Sequence, residues 1–332
     1  MTMSSQPDPT ASETPRVFKD VSGIRNYSRE QRKAGKRIGF VPTMGCLHDG
    51  HISLVHAAGS RCDVVIASIY VNPTQFSANE DFGVYPRSTE RDLDLLAKAG
   101  CVAVFMPAAL YHPGSSSLGS GDASMVVGAA QGEAASDAHS TWVNVEGLSQ
   151  GLCAGSRPHF FRGVATVVTK LFNIVEPDMA FFGKKDYQQW RILERLACDL
   201  DFGIEVVGLP IQREADGLAM SSRNVLLAPD HRAAAPGIYK ALRALEAEVA
   251  TRRRASGTAS ALTVQEAQRS VSRSLEALGG AVDYVQLVDA ASLRPLAAGA
   301  DLATGPHMVL LAVAVVFGRV RLIDNLEIQG RA

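Results

Sequence analysis

The sequence predicts an α/β protein: a parallel sheet covered by helices, followed by a smaller C-terminal α+β domain with an antiparallel sheet. Three observations carry this reading. Short runs rich in Val and Ile alternate with helix-period segments from Arg37 to Leu209. Beyond about residue 212 the order changes, and two helices precede three strands. The last two strands meet so closely at Gly318 that they must form a hairpin. Strands alternating with helices argue for parallel pairing with both faces covered.

The elements follow in order. Residues 1–15 hold no Lys, no Arg and no apolar stretch, and read as a polar tail, neither a secretory signal nor a transit peptide. Arg37–Thr43 and Asp63–Val71 read as buried strands, with Ile52, Val55 and Ala58 at helical spacing between them. Thr89–Ala99 is a helix with acidic residues in its first turn and Leu93, Leu96 and Ala97 on one face, and Cys101–Met106 is the next strand. Residues 113–140, rich in Ser, Gly and Ala and devoid of Lys and Arg, read as a flexible surface insertion. Val164, Val167, Val168, Leu171, Ile174 and Val175 make Gly163–Val175 a helix that Glu176-Pro177 ends. Asp178–Phe182, Tyr187–Cys198 and Glu205–Leu209 then read as strand, helix and strand, closing a first domain over residues 16–211. In the second, 212–332, helices at about 230–250 and 263–278 precede strands at Tyr284–Val288, Met308–Phe317 and Arg319–Ile323, and Thr263 with Glu266 forms a capping pair.

Composition narrows the function classes. Of 332 residues 46% are hydrophobic and 20% charged, which excludes a disordered or collagenous chain. Lys and Arg number 33 against 34 Asp and Glu, a balance of −1, so no global field attracts nucleic acid or an anionic membrane. Phosphate binding would have to come from local groups. The longest apolar run, Met308–Phe317, is far shorter than the roughly 20 residues a bilayer requires. Five cysteines without a C-x-x-C argue against a disulfide framework or zinc ribbon and for a reducing cytoplasm.

The segment Val41-Pro42-Thr43-Met44-Gly45-Cys46-Leu47-His48-Asp49-Gly50-His51 lies where the first strand gives way to its helix, the edge at which parallel sheets bind ligands. Gly45 and Gly50 permit close backbone approach, and the helix start offers N–H groups and partial positive charge. Two imidazoles three residues apart can add donors to the same phosphate chain. The same residues are open to two other readings, as surface histidines or as a Cys46-His48-His51 metal set, the latter lacking a fourth ligand nearby. Gly119-x-Gly121 lacks the third glycine of a dinucleotide fingerprint, and no Walker A loop exists.

The HxGH pattern marks the nucleotidyltransferase superfamily. Its wider frame, with Val71-Asn72-Pro73-Thr74-Gln75-Phe76, Tyr85-Pro86-Arg87, Phe161-Arg162-Gly163-Val164, Phe182-Gly183-Lys184-Lys185-Asp186-Tyr187-Gln188-Gln189 and Arg213 to Asn224, closely resembles the pantothenate synthetase (pantoate–β-alanine ligase) family over about residues 17–332. The resemblance implies a Rossmann-like nucleotidyltransferase domain under a C-terminal lid. It implies that pantoate and ATP give pantoyl adenylate and pyrophosphate, and that β-alanine then attacks to give pantothenate and AMP.

On the same resemblance His48, His51 and Lys185 are catalytic. Met44, Gly45, Cys46, Leu47, Asp49, Gly50, Gly183, Lys184, Asp186, Gln212, Met220, Ser221, Ser222 and Arg223 join the histidines and Lys185 in binding the nucleotide, the last four on a mobile loop. Asn72, Gln75 and Gln189 hold pantoate, and Asp92 contacts Mg2+. His51 could exchange protons in either step. A homodimer in the cytoplasm is implied, with no nucleic-acid or membrane partner. Three departures stand out: Lys184 where an acidic residue is common, Gln212 in place of a small aliphatic residue against adenine, and Phe160 where the family has His, for which His159 could substitute. A rival in the same superfamily, transferring AMP to a phosphate acceptor, would need a basic pocket where Asn72, Gln75 and Gln189 are neutral. A silent nucleotide-binding protein is the other alternative.

Overall fold

The computed structural model describes residues 14–76, 88–111, 139–254, 261–304 and 308–329. The Tyr85-Pro86-Arg87 block, nearly all of segment 113–140 and the tail through residue 13 lie outside the described residues. The larger sheet holds β1 (Arg16–Phe18), β2 (Ile38–Thr43), β3 (Val64–Ile69), β4 (Ala103–Phe105), β5 (Met179–Gly183) and β6 (Glu205–Leu209), in the order β1-β4-β3-β2-β5-β6. Every pairing in it is parallel.

Alternate residues of each strand enter different cores. Phe40, Ile66 and Phe105 pack with Ile24 of α1 (Val21–Lys33) and with Val164, Val168 and Leu171 of a long helix. Val41, Val65 and Val104 pack on the other face with Leu54 and Val55 of α2 (Asp49–Gly59) and Leu96 of α3 (Thr89–Lys98). The Val- and Ile-rich strands are therefore apolar on both sides because both sides are covered. From β2 the chain runs outward through β3 to β4, then returns to the other side of β2 for β5 and β6. That reversal leaves a crevice at the carboxyl ends of β2 and β5.

Periodicity gives no element before Arg37, yet β1 sits at the sheet edge beside β4 and α1 follows it. Three residues are too few to show a period, and α1 buries only Ile24 and Ser28. After the short α4 (Cys153–Ser156) comes α5 (Phe160–Val175), which starts three residues before the expected Gly163. Helix α6 (Tyr187–Asp199) leads to β6.

The helix expected near 230–250 is two helices, α7 (Pro229–Ala234) and α8 (Gly237–Arg254), because Pro236 between them lacks an N–H and cannot continue the first. Helix α9 (Val264–Glu276) opens on the Thr263–Glu266 capping box. Strands β7 (Ala281–Asp289), β8 (Val309–Phe317) and β9 (Val320–Ile328) form the antiparallel sheet in that order. Both β7 and β9 outrun the spans expected from pattern, and β9 does so through a buried polar pair, Asp324 and Asn325.

The apolar run of β8 is explained by its two faces. Leu311, Val313 and Val315 join the C-terminal core, while Leu310 and Ala312 pack against Leu152 and Tyr187 of the larger domain. Among the described residues no helix is long and apolar enough to cross a membrane.

One close approach fixes the crevice floor. Helix α5 runs so near the turn Pro73–Gln75 that a Cβ on Gly163 would stand 2.3 Å from the Thr74 carbonyl oxygen. Gly163→Ala should therefore lower stability by about 1–3 kcal/mol through overpacking. In urea this reads as a lower unfolding midpoint with an unchanged slope; an unaltered midpoint would refute the close approach.

Candidate active site

The loop after β2 is held from behind. Gly45 and Cys46 take left-handed backbone angles, φ 83° and 52°, which turn two successive N–H groups to one side as an anion-binding nest. The anion is internal. Asp92 accepts from Cys46 N at 2.8 Å through one oxygen and from Leu47 N at 2.8 Å through the other, with the Ser88 hydroxyl adding a bond at 3.1 Å. Asp92 is 1% exposed and does not line the crevice. Its carboxylate, expected to contact Mg2+, uses both oxygens to anchor the loop. Cys46 and Leu47, expected at the nucleotide, give their N–H groups to Asp92, and with Gly45 and the exposed Asp49 they stand outside the crevice lining.

The two imidazoles cap the helix and each other's neighbours. His48 Nδ1 accepts from Gly50 N at 3.1 Å, and His51 Nδ1 accepts from His48 N at 3.3 Å, in place of the Ser/Thr and Glu of the usual capping box. His51 N and Ile52 N both bond the His48 carbonyl. The first turn thus spends several of its N–H groups inside the protein, and the anion donors expected from backbone are supplied by side chains instead. An imidazole whose Nδ1 accepts carries its proton on Nε2. Both histidines line the crevice as neutral Nε2–H donors.

Their charge state is fixed by surroundings. Burial first, then the Lys185 ammonium, pushes His48 down to about 4; burial, His48 and Lys185 push His51 down to about 3. These surroundings favour the neutral, hydrogen-bond-donating form of both imidazoles. Gly50 serves this arrangement too, since a Cβ there would lie 2.8 Å from the His48 ring.

Across the crevice β5 ends in a single 3₁₀ turn, Lys184–Asp186. Gly183, Lys185 and Asp186 line the crevice, with Lys185 Nζ 3.2 Å from an Asp186 oxygen. Lys184 points elsewhere: its ammonium bonds both oxygens of Glu327 at 2.9 and 3.0 Å and lies 4.7 Å from the Trp190 ring centre. Expected at the nucleotide, Lys184 is not among the residues lining the crevice and links to β9, which gives the unusual lysine at this position a partner.

Gln212, Met220, Ser221, Ser222 and Arg223 line the third side. Gln212 and Met220 close a hairpin in which Met220 N bonds Gln212 O and Arg213 bridges to Ala219, and Ser221, Ser222 and Arg223 follow it directly. Asn224 holds Glu214 at 2.7 Å and Arg232 holds both Glu214 and Asp216. These bonds tie down the residues on either side of the loop expected to be mobile.

The fourth side is neutral. Asn72 is 1% exposed and fully bonded: its amide nitrogen donates to Gln75 Oε1 and Gly163 O at 3.2 Å each, and its oxygen accepts from Thr74 and Tyr111. It lines the crevice, where it is expected among the pantoate contacts, and it also orients Gln75, turning that amide's NH2 toward Met44 and the crevice. Gln189 lines the crevice one position after Gln188, whose amide ties residues 148–153 in place. Val164, Val167, Val168 and Leu171 of α5 form an apolar wall. His159 is exposed and outside the lining, so it does not replace the absent imidazole at Phe160. The Arg157 guanidinium sits there, 3.7 Å over the Phe160 ring, a stack that sequence spacing does not signal.

The family model described as pantoate–β-alanine ligase matches residues 16–327. The pantoate–β-alanine ligase of Oryza sativa subsp. japonica is 45% identical over 323 residues, 96% of this chain and 98% of that one. The solved pantothenate synthetase of Thermus thermophilus superposes with a TM-score of 0.76 at 39% identity, covering 95% of this chain and 99% of that one. The pantoate–β-alanine ligase of Francisella tularensis, crystallised with β-γ ATP and β-alanine, gives 0.68 at 29% identity over 94% and 97% of the two chains.

Two outcomes follow from the loop. Asp92→Asn removes one acceptor from a buried pair of N–H groups and should cost about 1–3 kcal/mol in denaturant unfolding whether or not Mg2+ is present; full recovery on adding Mg2+ would restore a metal role. A histidine kept neutral when folded, but titrating at 6.5 once unfolded, makes the unfolded state bind more protons below that pH. Its stability contribution is then whole above pH 6.5 and shrinks as pH falls toward 4 and 3. The unfolding free energy of the native chain should fall faster between pH 6.5 and 4 than that of His51→Gln, by up to about 1.4 kcal/mol per pH unit. Parallel curves for the two proteins would contradict this.

Proposed function

The chain belongs to the pantoate–β-alanine ligase family, and from that premise we propose that the crevice between β2 and β5 activates pantoate with ATP and joins it to β-alanine. The protein condenses (R)-pantoate with β-alanine through pantoyl adenylate, releasing pyrophosphate and AMP. The observation that carries the site assignment is the convergence of two fixed Nε2–H donors, one lysine and the Ser221–Arg223 segment on a single crevice with a neutral, apolar fourth side.

The chemistry follows from that division. Attack of a carboxylate on the α-phosphorus brings negative charge onto an already anionic chain, so donors must be in place where the charge grows. His48, His51 and Lys185 would meet the α-phosphate and its leaving oxygen, while Ser221, Ser222 and Arg223 would take the departing pyrophosphate. Met44, Gly50, Gly183, Asp186, Gln212 and Met220 would line the nucleotide. Gln75 and Gln189 would bond the hydroxyl and carboxylate of pantoate, whose methyl groups suit the valines of α5.

In the second step the attacking amine must be unprotonated, a form present to roughly one part in a thousand at pH 7 for a pKa near 10. The positive charges of Lys185 and Arg157 beside the crevice disfavour an ammonium there and so favour the free amine. The C-terminal part, which brings Gln212 and Met220–Arg223 to the crevice, would act as a lid that keeps water from the adenylate.

ATP is the co-substrate. Mg2+ would arrive on its phosphates, since that ion keeps several waters and takes most of its ligands from such oxygens. A reducing cytoplasm fits five free cysteines. A homodimer rests on the family resemblance, and a monomer mass in sedimentation would rule it out.

Pyrophosphate exchange into ATP should depend on pantoate, and exchange indifferent to pantoate would refute the proposed reaction. His51→Ala and Lys185→Ala should each slow that exchange by about 100-fold or more while the protein stays folded, because both groups act on developing charge. Near-normal rates in both would remove their assigned roles.

A further inference from the structure

Successive side chains of a strand point to opposite faces, and β9 uses this to reach two loops at once. Its even positions enter the C-terminal core: Val320, Leu322 and Ile328 pack there, and Asp324, 3% exposed, receives the Arg213 guanidinium in a two-point bond of 2.7 and 2.9 Å. Arg213 also bonds the Gly217 carbonyl at 3.1 Å and stacks 3.6 Å over the Tyr239 ring. It thereby fixes the base of the hairpin that ends in Met220 and Ser221.

The odd positions face the larger domain. Asn325, 6% exposed, donates through its amide to the carbonyls of Lys184 at 2.9 Å and Lys185 at 3.0 Å. Glu327, two residues on, accepts from Lys184 Nζ and from the Tyr187 hydroxyl at 3.0 Å. The neighbours are also joined to each other, because Asn325 N bonds an Asp324 oxygen at 2.8 Å. Consecutive residues of one strand therefore hold the turn that presents Lys185 and the hairpin that presents Ser221, Ser222 and Arg223.

We propose that Asn325 is a positioning residue for Lys185, and that the Asp324–Asn325 pair sets the spacing between the two cationic sides of the crevice. This rests on the reading of Lys185 as a phosphate contact given above. Asn325 is not among the residues that line the crevice between β2 and β5. It fixes the backbone from which the lysine side chain extends, and a shift of about 1 Å in such a group can cost on the order of 100-fold in rate.

A double-mutant cycle on the full chain tests this, read by pantoate-dependent ATP–pyrophosphate exchange. Asn325→Ala should lower the exchange kcat by about 10- to 100-fold while leaving the KM for pantoate within about twofold. Placed in a Lys185→Ala background the same change should cost less than about threefold more, since it acts through the missing lysine. Wild-type exchange in Asn325→Ala, or an equal loss in both backgrounds, overturns the proposal. Should Asn325→Ala fail to fold, Asn325→Asp keeps the shape and the backbone bond to Asp324 while losing the two donors; the same expectations apply, and a folded Asn325→Asp with wild-type exchange overturns it equally. If Lys185→Ala alone leaves exchange intact, the site reading itself fails and takes the proposal with it; that outcome is distinguished by the single variant.

Discussion

Each imidazole at the start of α2 gives one nitrogen to a backbone N–H, and the rest of the crevice depends on this exchange. With Nδ1 occupied, the proton has only Nε2 to sit on, so the tautomer is settled before any ligand arrives. Neutrality follows from burial and from the ammonium across the gap. Such donors are worth most when they need no rearrangement as charge develops. Asp92 carries the arrangement one layer further back, since the loop that feeds His48 into the helix is itself held by two N–H bonds to a buried carboxylate.

Topology then assembles what sequence keeps apart. The histidines follow β2, Lys185 follows β5 and the Ser221–Arg223 segment follows β6, yet the reversal of strand order beside β2 brings their ends to one edge. A chain with a net charge of −1 can thus recognise a polyanion with few positive charges. In the proposed reaction the histidines would contribute directed donors rather than charge, leaving the cationic work to Lys185 and Arg223, with Arg157 at the border of the neutral side.

Most of the fold was legible because both sheets are patterned by burial: the buried run of β3 and the valine stripe of α5 show it. Legibility ended where polar residues are buried for a purpose. Asp324 and Asn325 interrupt the apolar pattern, so the last strand reads as finished at Ile323 just where it becomes useful. Asp92 looks like any acidic residue in a first helical turn, and its partners stand more than forty positions earlier, at Cys46 and Leu47. Lys184 reads as a second phosphate lysine until Glu327 is seen beside it. Asn72 and Gln75 sit in one short motif, but only the bonds to Gly163 and Tyr111 tell the support from the group it supports. β1 is too short to announce itself.

The two-sided burial of β8 also bears on how the molecule can be divided. Leu310 and Ala312, with Val288 of β7, are covered by Leu152 and Tyr187 rather than by the helices of their own domain. Severed near residue 212, the C-terminal part would carry this apolar face into water beside the unpaired groups of its outer strands, a surface suited to sticking to its own copies. The two parts are separate in topology, yet each covers an apolar face of the other.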